Sequence, residues 1–105
     1  MNLEKTHPDD AVNIAPDIHT VIFEDDKLRV LKVTVQPGAK AKMHWHPRNI
    51  NYITGSSKLQ FTKPDGSTAK VTFRGGEVTS SPEGSHAVEN VGNTVVCTIQ
   101  VEMKS

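Results

Sequence analysis

The chain has 105 residues, one Cys, and a formal net charge of zero from 12 Lys and Arg against 12 Asp and Glu. This length fits one domain, and the balanced charge gives no electrostatic reason to expect binding to nucleic acid or an anionic membrane. A lone cysteine excludes an internal disulfide framework. No apolar run reaches the ~20 residues that span a bilayer, and the beginning, MNLEKTHPDD, is too polar for a signal peptide. We therefore expect a small cytoplasmic domain.

The N-terminal part of the chain lacks any regular pattern. Residues 1–17 contain two prolines and four acidic residues, which predicts an irregular arm. The domain proper is expected to cover residues 18–105. His7 and His19 lie in or beside the arm, and we expect both at the surface.

From residue 18 onward the sequence alternates between short β-type runs and turn sequences such as Pro64-Asp65-Gly66-Ser67. Strands are predicted within residues 20–23, 28–35, 52–54, 58–62, 70–73 and 95–103. The last run alternates strictly, with Thr98, Gln100 and Glu102 on one face and apolar residues on the other. Cys97 lies on the apolar face and is expected to be buried. Many short strands without helical periodicity indicate an all-β sandwich or barrel.

Three histidines stand in an unusual pattern. His44 and His46 flank Trp45, so on a strand both imidazoles project from one face, about 6–7 Å apart. Two neutral imidazoles held in this way can bind one divalent metal ion. His86 follows a Pro-x-Gly turn that brings a third imidazole to the start of another strand. Trp45 would lie on the opposite face, packed against the second sheet or a partner subunit.

The spacing around these histidines follows two motifs. The first reads Gly38, five residues, His44-x-His46 and then Gly55. The second reads Gly76, five residues, Pro82-x-Gly84, one residue, His86, three residues and Asn90. Together they resemble the two motifs of the cupin superfamily, in particular its small single-domain members. The resemblance covers residues 38–90 and implies a cupin-type β-barrel (a double-stranded β-helix, or jelly roll), with His44, His46 and His86 as metal ligands.

The first motif departs from the family pattern because no carboxylate stands between His46 and Gly55, and this stretch is shorter than usual. Counting forward from His46 places Asn51 at the position of the family's glutamate, whereas counting back from Gly55 places Arg48 there. The two positions have opposite strand parity, so the sequence leaves both open. Three neutral ligands would leave a divalent ion with its full charge, which favours an anionic substrate.

The resemblance implies a divalent metal (Fe, Mn, Ni, Zn or Cu) that binds a small polar or anionic molecule, with dioxygenation or isomerisation the commonest chemistry. The residues expected to contact the substrate are Arg48, Asn51, Tyr52 and Gln60. Whether the protein is an enzyme stays open at this point. The alternatives are a non-catalytic module that binds a metal or small molecule, and a metal-free structural or interaction protein. A homodimer is expected in all three cases.

Overall fold

The computed structural model describes residues 7–104, which form one short helix and nine strands joined by turns. In chain order the elements are α1 (Ala11–Ile14), β1 (His19–Glu24), β2 (Leu28–Val35), β3 (Lys40–His46), β4 (Asn49–Ile53), β5 (Ser57–Thr62), β6 (Thr68–Phe73), β7 (Val78–Ser81), β8 (Gly84–Asn90) and β9 (Val96–Met103). A five-stranded sheet has the order β1-β2-β9-β4-β7, and a four-stranded sheet has the order β3-β8-β5-β6. Every pairing between these strands is antiparallel.

The two sheets share one apolar core. Val35 and Val96 contribute to it from the five-stranded sheet, and Ala41, Leu59 and Val88 contribute from the four-stranded sheet. This arrangement confirms the prediction of an all-β cupin-type jelly roll. The glycine that precedes β3, Gly38, has a φ of 81°, in the region that glycine adopts most readily, so the predicted turn begins that strand.

The inner face of β9 is polar, which corrects the expectation for Cys97. Thr98, Gln100 and Glu102 are buried, whereas Cys97 is only half-buried on the outer face. Inner-facing polar side chains are possible here because Thr98 and Gln100 line a cavity, and because Glu102 accepts hydrogen bonds from Arg29 and His46. Val96 at the start of β9 faces the core, whereas the apolar residues at the alternate positions, such as Ile99 and Val101, form part of the outer surface of the five-stranded sheet.

The described part of the N-terminal arm, from residue 7, is ordered by contacts with β3; residues 1–6 lie outside the described residues. Asp10 caps α1 by accepting a hydrogen bond from the backbone N–H of Val12 at 3.0 Å. The ring of His7 stacks on that of Trp45 with centroids 4.5 Å apart. Trp45 therefore packs against the arm rather than the second sheet, and His7 is half-buried rather than a surface residue. Within residues 7–104, no helix is long and apolar enough to cross a membrane.

Candidate metal centre

A bulge in β3 aims His44 and His46 into the barrel. The pairing of β3 with β8 shifts register between Ala41 and His44. In a regular strand, residues three positions apart face opposite sides of the sheet, but this bulge lets Ala41 and His44 both face the interior, where they are buried. Lys42, inside the bulge, accepts a hydrogen bond from His44 Nδ1 through its backbone carbonyl at 2.6 Å. His44 then pairs directly across the sheet with His86. The bulge thus both directs the His44 ring inward and fixes its orientation.

Four imidazole rings meet at this point. The ring centroids of His44 and His46 are 4.8 Å apart. His86 lies on one side of this pair, at 4.9 Å from His44 and 5.2 Å from His46. His19 lies 4.9 Å from His44 and 5.3 Å from His46. The structure therefore brings together the three histidines that the sequence singled out and adds His19 to them.

His19 is buried, with 3% of its surface exposed, so the expectation that it lies at the surface is wrong. It begins β1 and pairs with Val33, whose side chain lines the same cavity. Among the described residues, the potential metal-ligand group is His19, His44 and His46, whose nitrogens lie within 4.8 Å of one another. The role of His86 as a ligand stays a prediction.

Each member of this trio has its Nδ1 bonded to an oxygen acceptor. His19 Nδ1 donates to the carbonyl of Ala15 at 3.1 Å, and His44 Nδ1 donates to that of Lys42. His46 Nδ1 donates to Glu102 Oε2 at 2.6 Å. Because the hydrogen of each neutral ring is then on Nδ1, each Nε2 carries a lone pair. The Nε2 of His44 is buried and has no hydrogen-bond partner within the described structure.

Burial keeps the rings of His19, His44 and His86 neutral. Desolvation is the largest cause that lowers the pKa of His44 to about 4. Burial, followed by the proximity of His46, lowers the pKa of His19 to about 3 and that of His86 to about 3. Neutral imidazoles are the form that binds metal ions. The ring nitrogens of His19, His44 and His46 lie close together, and the Nε2 of His44 is buried without a hydrogen-bond donor beside it. This arrangement fits a divalent cation that prefers imidazole nitrogen as a ligand.

A buried ion-pair network supports the cluster from behind. Glu102, which is 1% exposed, accepts hydrogen bonds from His46 and from Arg29. The guanidinium of Arg29 also contacts Asp10, with Nη2 at 2.9 Å from Oδ1. Two carboxylates against one guanidinium leave a formal negative charge beside the histidines. Glu102 thus brings a carboxylate of β9 to the cluster, as a hydrogen-bond acceptor behind His46.

A cavity of about 510 Å³ opens beside the histidines. Asn51 lines it and donates to Asn49 Oδ1 at 2.8 Å. The other expected substrate contacts, Arg48, Tyr52 and Gln60, lie outside the set of described residues that line it. Tyr52 is 49% exposed on the outer sheet face, and Arg48 is exposed. Strand parity explains the difference for Tyr52, since the inner positions of β4 are Asn49, Asn51 and Ile53.

The second motif also contains a residue with a structural role. Asn90 is 1% exposed and holds the turn before β9. Its Nδ2 donates to the carbonyls of Val35 and Thr94, and its Oδ1 accepts from the backbone N–H of Gly92. The side chain thus fixes the loop between β8 and β9 rather than contacting the histidines.

The solved structures similar to this chain share its architecture. A cupin domain from Bordetella pertussis superimposes with a TM-score of 0.77 at 23% identity, covering 84% of this chain and 93% of that one. A protein with a double-stranded β-helix domain from Klebsiella pneumoniae gives a TM-score of 0.66 at 18% identity, over 82% of this chain and 75% of that one. Together with the two histidine motifs, they identify the chain as a cupin-fold protein.

One curated relative adds a more specific likeness. Over 73 residues, 66% of this chain, the sequence is 32% identical to the oxalate decarboxylase of Bacillus subtilis. The match covers only 19% of that enzyme, so the chain corresponds to a small part of it. No protein-family model matches the chain.

Proposed function

We propose that this protein binds one divalent transition-metal ion at His19, His44 and His46, with His86 as a further ligand. The observation that carries the proposal is the common arrangement of the first three rings, each tied through Nδ1 to an oxygen so that each Nε2 is left for the ion. Among such ions, imidazole ligands suit Zn, Cu, Fe and Ni. Mn is tested with them because it belongs to the metals that the resemblance to cupins implies.

We further propose that the metal-loaded protein binds a small molecule in the adjoining cavity. When bound, the ion would supply Lewis-acid chemistry to that molecule. The chain itself would hold the ligand rings in place through Lys42, Ala15 and Glu102. Burial would keep the rings of His19 and His44 neutral. The likeness to oxalate decarboxylase favours an enzyme over a pure binding module, with a small carboxylic acid as one substrate to test.

The first test is metal uptake by untagged protein. We expect one equivalent of metal per chain after incubation with Mn²⁺, Fe²⁺, Ni²⁺, Cu²⁺ or Zn²⁺ and gel filtration, as measured by mass spectrometry of the elements. Because the pKa values of His19 and His44 are lowered to about 3 and 4, protons should compete weakly, so binding should persist at about pH 5. Ordinary surface histidines, with a pKa near 6.5, would lose metal at that pH.

Uptake well below one equivalent with every ion would refute the metal site. Catalysis is tested separately on the loaded protein, by oxygen consumption and by CO₂ release from oxalate and related acids. Stoichiometric metal without turnover of any acid would favour the binding module over the enzyme.

A further inference from the structure

We propose that the ligand of this site combines a metal-binding polar group with an apolar body. This inference rests on the proposed metal site and specifies the class of molecule beside it. It starts from a polarity gradient in the five-stranded sheet. Along the inner face of β9 the side chains change from Glu102 and Gln100 to Val96, and along β4 they change from Asn49 to Ile53.

The four-stranded sheet has the same gradient. On β8, the inward residue after His86 is Val88, which pairs with Phe61 on β5. The ring of Phe61 lies 5.1 Å from that of His86. Phe61, Phe73 and Val33 are only partly buried although they pack against the core, and all three line the cavity. The histidines therefore adjoin an apolar wall that is open to the cavity.

The charges around the cavity support the same class of ligand. Among the described residues that line the cavity, the charged ones are Lys63 and Glu83. No guanidinium from the described residues lines it, because Arg29 is held between Glu102 and Asp10, and because Arg48 and Arg74 are exposed. A small diacid such as oxalate would leave the apolar wall in contact with water, whereas an apolar body would displace that water.

Two hydroxamates test this inference, because they share one metal-binding group and differ in their apolar part. On the metal-loaded protein, benzohydroxamate should bind at least tenfold more tightly than acetohydroxamate, by calorimetry, since the phenyl ring buries apolar area. Val33→Thr keeps the side-chain shape but adds a hydroxyl to the wall, so it should weaken benzohydroxamate binding several-fold more than acetohydroxamate binding and thereby lower the ratio of the two affinities. Val30→Thr, on the outer face of the same strand, is the matched control.

The outcomes separate this inference from the metal proposal. Metal uptake is measured in the same samples, so protein that takes up no metal refutes both. Loaded protein that binds the two hydroxamates equally, or binds neither, keeps the metal site and overturns the apolar-body inference. A ratio that Val33→Thr and Val30→Thr reduce equally would also overturn it, because the effect would then not arise at the wall.

Discussion

Replacement of His44 by alanine is expected to abolish stoichiometric metal binding. His44 is fully buried, contacts His19, His46 and His86, and has a buried Nε2 without a hydrogen-bond partner. Removing it takes away the ring that all the others touch, so the remaining nitrogens no longer surround one point. Metal content after gel filtration should fall from about one equivalent to background for every ion that the wild type binds. Calorimetry should show no residual tight site.

The control for this substitution is His7→Ala, which removes a histidine from the same chain but outside the cluster. Its ring stacks on Trp45, so metal content should be unchanged. Because His44→Ala leaves a cavity in the interior, its thermal unfolding is measured beside the wild type, and His19→Asn provides a second variant with a smaller change in volume. Full metal occupancy in both folded cluster variants would contradict the site.

Glu102→Gln is expected to weaken metal binding by roughly 10–100-fold, because the group that orients a ligand histidine usually has an effect of this size. The amide can still accept a hydrogen bond from His46 Nδ1, but it lacks the negative charge of the carboxylate beside the ring. The substitution also leaves Arg29 with Asp10 as its remaining carboxylate partner. Metal affinity is measured by competition with a chelator of known strength.

The same substitution should lower the stability of the metal-free protein. Glu102 is 1% exposed, and removing one partner of a buried ion pair costs about 3–5 kcal/mol when the other charge is left behind. The retained hydrogen bonds and Asp10 should make the loss smaller than that. Glu24→Gln is the matched control: Glu24 pairs with Lys104 at the surface, and such pairs contribute about 0–1 kcal/mol. Equal effects of the two substitutions would show that Glu102 has no special role.

Strand periodicity predicted the fold but not which face of β9 is internal. The alternation of Thr98, Gln100 and Glu102 with apolar residues was visible in the sequence, and the pairing register preserves it. Alternation defines two faces without saying which of them meets a cavity. The placement of Cys97 in the core failed because an apolar face was equated with the interior, whereas here the apolar face is external.

The motifs predicted His44, His46 and His86 as a group because the three residues belong to a recurring spacing. His19 and Glu102 have no such spacing. The sequence places His19 just before a β-type run, and it places Glu102 on the same strand face as Gln100. Neither signal identifies a partner, since the contact between His46 and Glu102 joins residues 56 positions apart. Only the sheet order reveals these contacts.

The position of the cluster within the strand order has a consequence for how the protein folds. Its parts come from β1, β3 and β8, and the carboxylate behind His46 comes from β9, whose neighbours are β2 and β4. Contacts between residues so far apart in sequence form late, because closing long loops costs entropy before the contacts can stabilise them. His44 and His46 become an oriented pair with neutral, buried neighbours only when the first and last strands have joined. The complete histidine cluster with its supporting carboxylate therefore exists only in a chain whose two sheets have both formed.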